Sequence, residues 1–179
     1  MVEHVLSMFP TEPDIDRYAI TFLQKVDKSS GLRHVIFERG AMPSIMAALR
    51  WYAVELVEDN DMGVYMDITD TILEVIVDAS MDEYATVRRD AAEGGVVGAV
   101  LRIMGTWPGD LRRVHKCMQV LHCMLGVTSV VGNRPDAYRI LLDAFKLFTA
   151  ASDFGATVVT VRVILYTLKT ESGARIRHA

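Results

Sequence analysis

His115, Cys117, His122 and Cys123 are the side chains in this sequence best suited to gripping a transition metal. Zinc needs its Cys and His ligands within about 2.0–2.3 Å. The spacing does not allow that. On one helix His115 and His122 share a face but stand about 10.5 Å apart along the axis, at ~1.5 Å per residue. Cys117 points elsewhere. Cys117 and Cys123 differ by about 240° around the same helix, so they cannot form a disulfide within it. No metal and no other cofactor is expected. Two free thiols suit the cytosol or the nucleus.

Charge offers two further constellations. Asp59, Asp61, Asp67, Asp70, Glu74 and Asp78 form an acidic stretch. The last four recur at three- and four-residue steps and so line one helix face. Like charges at that spacing repel, and a basic partner segment would relieve them. The stretch lacks the alternating ligands and central Gly of a calcium loop. Arg88 and Arg89, then Arg112, Arg113, His115 and Lys116, form two basic clusters. They suit an acidic partner or a phosphate backbone, although Arg112 and Arg113 at a helix start oppose its dipole. No Gly-x-Ser-x-Gly, phosphate loop or His-Glu-x-x-His motif occurs. Catalysis is not expected, and neither is a small-molecule substrate.

Composition narrows the classes further. The 179 residues suffice for one domain with a continuous core. Hydrophobic residues make up 51% and mean hydropathy is +0.22, which suits helices buried on two faces. The formal charge of −4 gives no global capture of nucleic acid. No apolar run reaches the ~18 residues a membrane span needs. The ten methionines fill a core or make an adaptable surface.

Periodicity reads as helix throughout. Pro10 and Pro13 break residues 1–13, and Asp14 caps a helix to Asp27 with Ile15, Tyr18, Ala19, Phe22, Leu23 and Val26 at helical spacing. A short helix, Leu32 to Arg39, stops at Gly40, and Pro43 opens the next, to about Val57. Gly63 to Ser80 is a long helix that carries Met66, Ile68, Ile72, Leu73, Val75, Ile76 and Ala79. The order then repeats as Asp82 to Glu93 before Gly94-Gly95, Val96 to Trp107, and Asp110 to Gly126. Asp136 to about Ala151 follows, and Ser152 and Asp153 cap a last helix to about Thr170. Residues 171–179 read as a frayed tail. Thr157 to Tyr166 is rich in β-branched residues. A lone strand would be unstable there, and Val158, Val161, Ile164, Leu165 and Leu168 fit a helix face.

The Gly40-Ala41-Met42-Pro43 corner followed by an apolar helix resembles the armadillo repeat. Gly94-Gly95-Val96-Val97 is a looser match. Cys117 to Leu125 and Ile72 to Ser80 resemble the family's third helix, and Glu74, Gln119 and Arg162 follow one another at intervals of 45 and 43 residues. Repeats of about 40–47 residues mark a stacked-helix solenoid. The resemblance implies an all-α, right-handed superhelix of about three armadillo-like repeats, 32–80, 81–126 and 127–170, behind a helical N-terminal cap at 1–31. HEAT-type helix pairs are the alternative.

Armadillo proteins bind a partner along a concave face lined by third helices, with Trp and Asn four residues apart. The matching pairs here are Glu74 and Asp78, Gln119 and Cys123, and Arg162 and Tyr166, with Thr21 and Lys25 from the leading half-repeat. Without Trp and Asn the resemblance does not imply generic binding of nuclear-import peptides. It implies a cytoplasmic or nuclear adaptor, scaffold or regulatory subunit holding a particular protein, one with a basic segment for Glu74 and Asp78. The rival readings are a self-assembling protein, through Val158 to Leu168, and a nucleic-acid binder using the arginine clusters.

Overall fold

The computed structural model describes residues 13–26, 35–37, 40–55, 62–81, 85–128 and 136–177. Its elements are helices, and no strand occurs among the described residues. They are α1 (Pro13–Lys25), α2 (Ala41–Glu55), α3 (Met62–Met81), α4 (Ala85–Glu93), α5 (Val96–Thr106), α6 (Leu111–Cys123), α7 (Ala137–Ala150) and α8 (Phe154–Arg177). The all-α expectation holds. The β-branched run Thr157 to Tyr166 lies in α8, so packing overrides strand propensity there. No helix among the described residues is long and apolar enough to cross a membrane. The chain divides into two compact units, Met1–Ala99 and Val100–Ala179.

In the first unit α3 packs on α1, α2 and α4, and α2 packs on α4. Ile68, Ile72, Leu73, Val75, Ile76 and Ala79 of α3 are buried, as their spacing predicts, and Met66 is half-buried. Gly40 and Gly95 both adopt positive φ, +89° and +84°, and each lies just before a helix. The two Gly corners therefore have the same backbone handedness. Gly94 is needed for a different reason. A β-carbon there would meet Met46 Cγ at 2.7 Å, so it lets α4 close on α2. Arg50 of α2 donates to the Gly94 carbonyl at 3.0 Å, occupying an acceptor at the α4 C-terminus.

In the second unit α6, α7 and α8 pack on one another. Asp110 caps α6, its Oδ1 accepting from the Arg113 N–H at 3.0 Å, as expected. α7 ends at Ala151 in a Schellman turn. The N–H of Asp153 donates to the Phe148 carbonyl at 3.0 Å, and that of Ser152 to Thr149 at 3.1 Å. Ser152 stands at the left-handed position, φ 56°, which glycine normally takes.

Several boundaries move. Pro43 is the third residue of α2, not its first, still within the turn whose N–H groups need no intrahelical partner. Asp14 lies inside the first turn of α1 rather than at its cap. α6 stops at Cys123 and turns before Gly126, whose φ is +85°. Ser152 closes α7, and Asp153 alone caps α8, accepting from the Ala156 N–H at 3.0 Å. α8 continues to Arg177, so most of the expected tail is helical. The N-terminal cap before Pro13, most of the Leu32 to Arg39 helix, Asp59 and Asp61, and the loop at Gly132, Asn133 and Pro135 lie outside the described residues.

Candidate functional site

The first unit holds Lys25, Glu74 and Asp78. Lys25, at the end of α1, is exposed, and Glu74 and Asp78 on α3 are half-buried. Gln24 of α1 donates to Glu74 Oε2 at 2.5 Å. The acidic edge of α3 thus lies along the α1 packing seam. Asp70, Glu74 and Asp78 each already have an interaction within the protein. The expected unrelieved like-charge row is therefore partly satisfied, and Asp67 is its exposed member.

The second unit holds Gln119, Cys123, Arg162 and Tyr166. Gln119 and Cys123 on α6 and Tyr166 on α8 are half-buried, and Arg162 is exposed. Two contacts set the helices parallel. His115 near the start of α6 lies 3.5 Å from Asp153 at the start of α8. Beyond the other end of α6, a β-carbon on Gly126 would stand 3.7 Å from the Tyr166 hydroxyl. Parallel neighbours place Gln119, Cys123 and Tyr166 along one helix pair.

The metal constellation disperses over different neighbours. His115 turns to Asp153 and to the Phe148 ring, 5.9 Å between centroids. Cys117 is buried and Cys123 is half-buried, both as free thiols. Among the described residues no three His, Cys, Asp or Glu side chains gather.

The second basic cluster is not a free patch either. Arg113 is 5% exposed, donates to Asp110 Oδ2 at 2.7 Å and stacks over Trp107 at 5.4 Å. A buried cation clamping its own N-cap explains an arginine where the helix dipole disfavours one. Arg89 spends its charge on Glu93 at 3.9 Å.

No known protein family, curated protein or solved structure matches this chain.

The most unusual surface lies on α8. Ala156, Thr160, Val163 and Thr167 are buried, at 0–1% exposure. Phe154, Val158, Val161, Leu165 and Leu168 are exposed, at 84, 48, 36, 60 and 47%. At about 100° per residue the two sets occupy opposite sides of the helix. The helix face that the spacing marks is present, and it is the side turned away from the core. Val158, Val161, Leu165 and Leu168 face solvent, Ile164 is half-buried, and the core is met by the smaller set. The buried threonines close their hydroxyls back onto the helix, Thr160 to Ala156 and Thr167 to Val163, each at 2.8 Å. That internal bond lets them serve as core residues.

Large apolar side chains left in water are costly. Covering a residue such as Leu165 would contribute about 1 kcal/mol or more, so five in line make a surface suited to being covered. Phe154 was not visible from sequence as part of this stripe, because it is the first helical residue after a cap. A milder case occurs on α1, where Tyr18 and Phe22 are 70% and 44% exposed despite their helical spacing.

Proposed function

We propose that this chain is a non-enzymatic protein–protein interaction module, an adaptor, scaffold or regulatory subunit built from armadillo-like helical repeats. The observation that carries the reading is the exposed apolar side of α8, opposite its buried side. An apolar stripe on a charged, water-facing surface is the usual mark of a protein contact. The repeat reading draws support from the two Gly corners of like handedness, Gly40 and Gly95. It is also supported by the packing of α1 on α3 and of α6 on α8, the second pair parallel. In a stacked repeat such neighbours are corresponding third helices.

Within this reading, Lys25, Glu74, Asp78, Gln119, Cys123, Arg162 and Tyr166 are the partner-binding residues, with a basic segment of the partner meeting Glu74 and Asp78. A cytosolic or nuclear setting fits the two free thiols. Self-assembly is the second reading, favoured by the same α8 stripe. Nucleic-acid binding loses ground, because Arg113 is buried in its own helix cap.

The test is affinity capture from a lysate with three baits: the wild-type chain, Glu74→Lys with Asp78→Lys, and Leu165→Asp. The reading expects one defined set of proteins on the wild type and its loss from at least one variant. Identical captures on all three baits would sink both surfaces as partner sites. A concentration-dependent mass, abolished by Leu165→Asp and with no foreign protein captured, would transfer the reading to self-assembly.

A further inference from the structure

We propose that the exposed side of α8 seats an amphipathic helix of a partner protein that carries carboxylates along one edge. This rests on the interaction-module reading and names the partner's chemistry at one of its surfaces.

The exposed residues Phe154, Val158, Val161, Leu165 and Leu168 follow one another at steps of four, three, four and three. That alternation is the 3.5-residue period of a helix–helix seam. It runs about 21 Å along the helix at ~1.5 Å per residue, roughly four turns. A β-strand or a loop does not match this period. A second helix does, its own apolar residues entering the holes between these five.

Charge beside the seam selects the partner. Arg162 and Lys169 are both exposed and lie one residue after Val161 and Leu168, on the same edge. Among the described residues neither makes an ion pair. The opposite edge carries Thr157 and Ile164, which are uncharged. Flanking positions of this kind decide which helix pairs with which.

A second copy of α8 answers that edge poorly. Paired antiparallel about the middle of the stripe, Arg162 would face the Arg162 of the other copy. Paired parallel, Arg162 and Lys169 would face Thr157 and Ile164. Neither arrangement supplies an acid. A helix with Glu or Asp beside its apolar seam supplies one at each cation.

The probes are two synthetic helical peptides of about 21 residues, with Leu at the seam positions and either Glu or Lys at the flanking ones. Both are titrated by fluorescence anisotropy against the full chain, at low and at high salt. The Glu peptide should bind the wild type about tenfold or more tightly than the Lys peptide, with the difference shrinking in salt. Arg162→Glu with Lys169→Glu should invert the preference. Leu165→Asp should weaken the Glu peptide about tenfold or more, and because Leu165 is largely exposed its helical circular dichroism should stay unchanged. Equal binding of the two peptides, no binding of the Glu peptide, or a preference untouched by charge reversal would each overturn the proposal. So would a wild-type dimer that Leu165→Asp dissociates and the Glu peptide does not displace, which would make a second copy the occupant. If the acidic preference fails while Leu165→Asp still loses captured proteins, the module reading survives without this partner chemistry. If Leu165→Asp changes nothing anywhere, both fail at this surface.

Discussion

Tyr52 donates its hydroxyl to Asp16 Oδ2 at 2.6 Å, with both side chains completely shielded from water. The bond ties α2 to α1 inside the first unit, and the Trp51 ring meets Tyr52 edge-on at 4.7 Å. A buried acceptor that loses its donor bears a desolvation cost. Tyr52→Phe should therefore destabilise the chain by about 1–3 kcal/mol with its packing preserved. Urea denaturation measures this, and a loss below about 0.5 kcal/mol would remove the bond from any account of the fold.

Thr69 presents the opposite situation. Its hydroxyl is buried on α3 with no hydrogen-bond partner among the described residues. Thr69→Val keeps the shape and removes the orphaned polar group, so it should raise stability by about 1 kcal/mol or more. An increase in the urea midpoint at unchanged slope is the expected result, and a decrease would mean that the hydroxyl is bonded in solution.

The α7–α8 junction makes two predictions of opposite sign at adjacent residues. Ser152→Gly relieves a left-handed backbone and should stabilise by about 0.5–1 kcal/mol. Asp153→Ala removes the cap on Ala156 and should cost about 1 kcal/mol. Thermal melts of the two single variants should move in opposite directions, and a shift in the same direction would contradict the assigned turn.

Gly94 and Gly95 separate by mechanism. Gly95→Ala meets open space and suffers only from its φ of +84°, costing about 1 kcal/mol. Gly94→Ala collides with Met46 and should cost about 1–3 kcal/mol. Combining Gly94→Ala with Met46→Ala should cost less than the sum of the two, by at least about 0.5 kcal/mol. Strict additivity would acquit Met46.

What could be read without coordinates was periodicity and punctuation. The apolar rhythm of α3 named most of its buried residues, missing Thr69, Val77 and Ser80, and the cap at Asp110 was correctly placed. Gly40 and Gly94-Gly95 marked corners. What could not be read was which side of α8 turns inward, since hydrophobicity favours the Phe154, Val158, Leu165 and Leu168 side, which faces solvent. Thr160 and Thr167 look polar on paper, and only their bonds back to the helix qualify them for the interior. Arg113 likewise looked like surface charge. Its burial depends on Trp107 and Asp110 converging on it, and its position in the sequence did not reveal that.

The two-sided character of α8 has a consequence for how the second unit finds its native arrangement. The outward side carries Phe and Leu, bulkier and oilier than the inward Ala, Thr and Val. Greed for apolar burial alone would roll the helix half a turn and hide the wrong side. Fit opposes it: α8 packs on α6 and α7 through the small, buried Ala156, Thr160, Val163 and Thr167, and larger side chains in their place would force the helices apart. The native orientation is thus chosen by steric fit against the hydrophobic gradient. Substitutions that loosen α6 or α7 around Ala156 or Val163 would reopen the rolled competitor, and misfolding of this chain should begin there.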